Sequence, residues 1–149
     1  MTFSAPDLTQ HPPRSPRCRL GGYALLPRLL DKCRATLFGR NGEYHYNCPL
    51  DQHFFNFLDL DAERLKDEVA AGKGDGELLT WINDHATLKR TPWEIAQWSA
   101  WRDTATPGEV ETREFYNGIH KEIGLLRDDI VTWNDLLDLD DYASFGGKV

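Results

Sequence analysis

At 149 residues, 40% of them hydrophobic and 28% charged, the chain is long enough for one domain with a full core and too apolar for wholesale disorder. A formal net charge of −7 disfavours non-specific binding to nucleic acid or to an anionic membrane, so neither is expected as a partner. No run approaches a membrane span or a signal-peptide core. The three cysteines, Cys18, Cys33 and Cys48, form no paired motif, which fits a reducing, cytoplasmic setting.

Charge is unevenly spread. Up to Arg40 the chain carries Arg14, Arg17, Arg19, Arg28, Lys32, Arg34 and Arg40 against Asp7 and Asp31. The acidic excess lies in the second half. Two outcomes follow from such an asymmetry: an anion-binding patch, or pairing of the basic segment with the acidic one inside the fold, and pairing is the commoner of the two.

Residues 1–19 read as an extended Pro-rich arm. Pro6, Pro12, Pro13 and Pro16 preclude a continuous helix there. Gly21-Gly22 marks a break. Residues 20–149 read as a single, compact, multi-helix domain, so the fold class expected is all-α. The first helix spans about Ala24 to Phe38. Leu25, Leu26, Leu29, Leu30, Cys33 and Leu37 form its buried stripe, and Pro27 sits in its first turn. Arg28, Asp31, Lys32 and Arg34 fall on its other faces. Arg40-Asn41-Gly42-Glu43 is a turn, and Glu43 to Asn47 alternates as a short extended piece. Pro49 opens a helix over Leu50 to Leu58, with Phe54, Phe57 and Leu58 on one face.

Further helices follow from their start signals. Asp61 caps Ala62 to Ala71, and Asp75 caps Glu77 to His85. Thr91-Pro92-Trp93-Glu94 is a capping box with proline at the first helical position. Thr106-Pro107-Gly108-Glu109 repeats that start and opens the longest helix, to about Arg127, with Phe115, Ile119, Ile123 and Leu126 inward. Thr132 to Asp135 starts a last short helix through Leu139, and the tail from Ser144 frays.

Reactive side chains concentrate between Gly42 and Phe57. Tyr44, His45 and Asp51 are the candidates for acid–base work, since histidine exchanges a proton near neutral pH. Arg14, Arg28, Lys32 and Tyr46 are the candidates for holding a substrate, because arginine grips carboxylates and phosphates through paired N–H groups. Clustered polar groups among aromatic walls are what a pocket gathers. Taken singly, each residue is as well explained by packing or helix capping.

His45, Cys48 and His53 are spaced H-x2-C-x4-H, unlike the paired structural zinc patterns. A zinc site would need a further ligand such as His11, His85 or His120, so no metal and no cofactor is expected. Cys48 as a nucleophile with His45 or His53 as base lacks any family-specific cysteine motif, and a small packed cysteine is the commoner outcome. The five tryptophans read as core rather than as a ligand cavity.

Several stretches together resemble a known family. They are Asp7-Leu8-Thr9, Pro12-Pro13-Arg14-Ser15-Pro16-Arg17, Leu20-Gly21-Gly22-Tyr23 and Leu26-Pro27-Arg28-Leu29-Leu30-Asp31-Lys32. Gly42-Glu43-Tyr44-His45-Tyr46, Cys48-Pro49-Leu50-Asp51 and the stretch from Thr91 to Trp98 fit as well. With these, residues 7 to about 103 resemble the bacterial DUF5069 family. The resemblance implies a small cytosolic bacterial protein and brings no catalytic residues with it. The expectation is therefore a small enzyme or ligand-binding protein for a small polar or anionic organic molecule. It would use a pocket near the junction of the first helix and the Glu43–Asp51 segment. The alternative is a non-catalytic protein–protein interaction module that docks partners, or a second copy of itself as a homo-oligomer, through its basic arm and acidic half.

Overall fold

Helix α1 (Leu26–Leu37) runs through the centre of the computed structural model, which describes residues 3–149. Leu25 precedes it at φ 72°, and Pro27 occupies its first turn, where no backbone N–H is needed. Leu26, Leu29, Leu30 and Cys33 are fully buried, as their spacing predicts. Arg28, Asp31 and Lys32 are buried too. The charged side of α1 is thus an interior face, because other segments bring carboxylates and cations onto it.

The remaining helices are α2 (Pro49–Leu58), α3 (Ala62–Ala70), α4 (Asp75–His85), α5 (Pro92–Thr104), α6 (Val110–Gly124) and α7 (Trp133–Ser144). Phe54, Phe55 and Leu58 of α2, Leu65 and Val69 of α3, Leu78 and Ile82 of α4 and Ile95 of α5 join the α1 leucines in the main core. A smaller cluster joins Tyr116 of α6 and Ile130 to Leu136 and Leu139 of α7. No helix is long and apolar enough to cross a membrane among the described residues.

The fold is mostly helical. Among the described residues its one sheet is a two-residue antiparallel ladder, β1 (Arg19–Leu20) with β2 (Tyr23–Ala24). Gly21 and Gly22 turn it with φ of 58° and 84°, the left-handed pair that a tight hairpin needs. A Cβ on Gly21 would lie 2.4 Å from Leu79 Cδ1, so both conformation and space call for glycine here. The residues 43–47 expected to be extended instead form turns, with Asn41 Nδ2 donating to the Tyr44 carbonyl at 2.8 Å.

The segment before β1 lies against the helices. Leu8, Pro13 and Pro16 are buried, and Leu8 N–H donates to the Arg40 carbonyl at 2.8 Å.

Helix starts follow capping chemistry. Asp61 accepts from the N–H groups of Glu63 and Arg64, and Thr91 accepts from Glu94. Thr132 and Asp135 cap each other, the Asp135 N–H donating at 3.1 Å and the Thr132 N–H at 2.9 Å. Three expectations shift. Asp75 lies inside α4, whose Gly74 cap donates its N–H to Glu77 at 2.9 Å. Thr106-Pro107 does not open α6; Glu109 caps it, its N–H donating to Thr112 Oγ1 at 3.2 Å. The inward face of α6 is Tyr116, with Ile119 and Ile123 beside it, while Phe115 is 63% and Leu126 92% exposed. Packed chiefly against α7, α6 buries only that narrow stripe.

Candidate functional site

The N-terminal cations find carboxylates across the fold. Arg14 donates from its backbone N–H, Nε and Nη2 to Asp31 at 2.9–3.0 Å, and from Nη1 to Asp75 at 2.8 Å. Arg17 bonds Asp135 and Asp138 of α7, and Arg19 bonds Asp103 at 2.6 Å. Arg34 reaches Asp75 at 2.8 Å. Asp75 is drawn below the usual carboxylate range: burial pushes it up, but the bonds from Arg14 and Arg34 outweigh that.

Two further pairs are interior and join residues singled out from sequence. Arg28 of α1 meets Asp141 of α7 through two bonds, 2.7 and 3.3 Å, with both side chains buried. The Tyr44 hydroxyl donates at 2.7 Å to Oδ1 of Asp141, the oxygen that takes the longer Arg28 bond, and the Arg28 guanidinium lies 5.4 Å from the Tyr44 ring centre. One turn along α1, Lys32 Nζ lies 2.8 Å from the Asp51 carboxylate and 3.3 Å from Cys48 Sγ. The second Asp51 oxygen accepts from the Asn47 N–H at 3.0 Å.

The structure therefore brings Arg28 with Tyr44, and Lys32 with Asp51, onto neighbouring turns of α1. The Arg14 side chain turns to Asp31 and Asp75 instead, while its carbonyl accepts from Arg28 Nη1 at 3.3 Å. Tyr46 donates its hydroxyl to the Ala62 carbonyl at 2.7 Å and packs edge-on against Phe55. His45 is exposed, and no hydrogen bond joins its ring to any of the others. His53 is exposed as well, 5.4 Å from the Trp101 ring. Among the described residues, no group of three or more His, Cys, Asp or Glu side chains is placed to hold a metal ion. Cys33 is inert in its apolar surroundings, burial pushing its thiol up to about 12.

Burial also raises the Tyr44 and Tyr46 phenols, and the bond to Asp141 raises Tyr44 further. Phenols held protonated in the fold lose their protons on unfolding. Their contribution to stability is complete below about pH 10 and is lost as pH rises beyond it. Tyr44→Phe is expected to reduce the proton release linked to alkaline unfolding by about one proton. Denaturant melts between pH 8 and 11 measure this, and an unchanged pH slope would refute it.

One further buried cation lies outside the stretches singled out from sequence. Arg102, in the last turn of α5, is 2% exposed. Its Nε and Nη2 have no hydrogen-bond partner among the described residues. Burial pulls the guanidinium below its ordinary value, and the nearby Asp103 and Cys48 counter that in part. Asp103 is itself taken by Arg19, at 2.6 and 3.2 Å. The contact of His53 with Trp101 sets this end of α5 against the first turns of α2. The sequence signal was the spacing: Ile95, Ser99 and Arg102 fall at i, i+4 and i+7, so Arg102 continues the buried stripe of α5.

Lys32 and Cys48 meet at the start of α2, and the Arg102 guanidinium lies near enough to Cys48 for their charges to interact. Cys48 is the N-cap residue and makes no side-chain cap bond; its sulfur accepts from Lys32 instead. Pro49 has no N–H to offer, and the Leu50 and Asp51 N–H groups sit in the first turn, where α-helical geometry supplies no acceptor. Lys32 and Asp51 cancel, which leaves the buried guanidinium as an uncompensated positive charge. The residues lining the clefts at the β1–β2 turn and beside Phe3 include none of these.

The family model described as a domain of unknown function, DUF5069, matches residues 10–143. The match runs well past Asp103 and takes in α6 and nearly all of α7. No curated protein matches the chain.

Proposed function

The chain belongs to the DUF5069 family, and we propose from its geometry that it binds a small anionic molecule through a carboxylate or phosphate group seated between Arg102, Lys32 and the first turn of α2. The observation that carries this reading is the buried guanidinium whose Nε and Nη2 have no partner among the described residues. A buried charge without a counterion is costly, and buried polar groups are nearly always satisfied. An oxyanion accepting both N–H groups would remove that cost through paired, charge-assisted bonds. Lys32 and Asp51, two of the residues singled out from sequence, form the wall of the site. Arg28, Tyr44 and Asp141 set the position of α1 beside it.

No reaction is assigned. His45 is exposed and shares no hydrogen bond with these residues, and Asp51 is engaged on both oxygens. The Pro-rich N-terminal segment serves in this reading as an extended arm strapped to the body, its Arg14 and Arg17 spent on Asp31, Asp75, Asp135 and Asp138. Basic and acidic segments engaged with each other in this way favour ligand binding over docking through those two surfaces. Three free cysteines and the family likeness support a bacterial, cytoplasmic protein.

Anion binding to the folded state alone raises stability, by about 2.7 kcal/mol at a hundredfold excess over Kd. Thermal melts in rising inorganic phosphate or acetate, at constant ionic strength set with chloride, are expected to show a saturable rise in Tm. A flat response to both anions would sink the reading.

A further inference from the structure

On a different face, the turn between β1 and β2 closes one side of a cleft of about 550 Å³. The C-terminal end of α2 and the α4–α5 connection close the others. Leu58, Ala86, Leu88 and Ile95 give it an apolar floor and wall. No acidic residue lines it, whereas Arg19, Lys89 and Arg90 do. The volume falls within the range of small-molecule sites, and the lining follows their usual recipe of apolar walls with a few convergent polar groups.

The polar groups differ in how far they are engaged. Arg19 is taken by Asp103. Arg90 donates Nε to the Phe57 carbonyl at 2.9 Å, lies over the Phe57 ring at 4.6 Å and reaches Glu94 at 3.5 Å. Lys89 donates to the carbonyls of Asn83 and Asp84 at 2.8 and 2.7 Å. Those are carbonyls of the last turn of α4, and they orient the ammonium. A lysine ammonium has three donors, so one remains. Among the described residues no carboxylate lies within 4.0 Å of Lys89. The Tyr23 hydroxyl, at the buried end of the cleft, makes only a 3.4 Å contact with Asn83 Oδ1. Burial raises this phenol while Arg90 pulls it down, for a net rise, so at neutral pH it is protonated and able to donate.

We infer that this cleft is a second binding site, for a small organic acid with an apolar body. Its carboxylate meets the free N–H of Lys89 with Arg90 near by, and its apolar part lies on Leu58, Ala86 and Ile95. A bare oxyanion leaves those walls wet, and a neutral apolar molecule leaves the lysine unpaired, so the combination is what the lining selects. The site is independent of the guanidinium site, since it shares no residue with Lys32, Cys48, Asp51 or Arg102.

The probe is 3-phenylpropionate, titrated calorimetrically into the full-length protein beside its neutral amide. In Arg102→Met, which lacks the guanidinium site, the acid is expected to bind one per chain, and the amide at least tenfold more weakly. Lys89→Gln is expected to weaken the acid at least tenfold and leave the amide unchanged. Ala96→Phe, placed on an exposed cleft-lining position of α5, fills the space without touching a cation and is expected to abolish binding of both. Arg102→Met is expected to leave the acid's affinity unchanged, which separates this site from the guanidinium site. Equal affinity for acid and amide, no loss in Lys89→Gln, or acid binding that survives Ala96→Phe combined with Arg102→Met would each overturn the inference. Absence of binding by the acid would do so as well. Circular dichroism and melts establish that each variant is folded.

Discussion

Asp141→Ala is expected to lower the free energy of unfolding by about 3–5 kcal/mol, the usual cost of removing one partner of a buried ion pair. Arg28 and Asp141 are 3% and 7% exposed, so solvent cannot replace the lost carboxylate. Arg28 would keep the 3.3 Å bond to the Arg14 carbonyl but lose its counterion. The bond to Asp141 is what raises the guanidinium against the downward pull of burial. The Tyr44 hydroxyl would lose its acceptor at the same time. Domains of this size are stable by only about 5–15 kcal/mol, so the variant should stand near the edge of folding at room temperature. Asp141→Asn keeps the shape and one acceptor oxygen and should lose less. Urea melts of the two variants against the parent check both statements. An alanine variant within about 1 kcal/mol of the parent would show that α7 does not anchor α1 through this pair.

Arg102→Met carries the opposite sign. Methionine fills much of the arginine stem's volume and leaves no charge. Replacing buried charged groups with well-packed apolar side chains is often neutral or stabilising by about 1–4 kcal/mol. Here the charge has no direct counterion, which places the expectation on the stabilising side for the anion-free protein. The same change should remove the phosphate- or acetate-dependent rise in Tm. The two effects together are diagnostic. A structural arginine would give a destabilised variant, and an irrelevant one would leave the anion response intact. Arg102→Lys, which keeps the charge but loses the planar pair of donors, should retain a weakened response.

How far the sequence revealed this molecule depended on whether the deciding contact was local. The α1 stripe and the Thr91 and Thr132 starts were legible, because i, i+3, i+4 spacing and capping act within a turn or two. The charged face of α1 was not. Its burial depends on Asp51 and Asp141, which lie 19 and 113 positions away from their cations. The choice between patch and pairing was posed correctly from charge alone, but the partners were not readable. The α6 face was misread because Phe115 and Tyr116 are adjacent aromatics, and only the position of α7 decides which one turns inward. The Gly42–Phe57 stretch does converge on α1 through Tyr44 and Asp51, while His45 and His53 do not. Arg102 was readable in principle from its place on the Ile95–Ser99 stripe, but an arginine is ordinarily assigned to the wet side.

The most direct test is calorimetric titration of inorganic phosphate, and separately acetate, into the full-length protein and into Arg102→Met at low ionic strength. One saturable site per chain for at least one anion, weakened at least tenfold in the variant, is the result the anion-site account predicts. Heats no larger than dilution for both anions, or equal binding by parent and variant, would contradict it and leave the buried guanidinium as a structural feature alone.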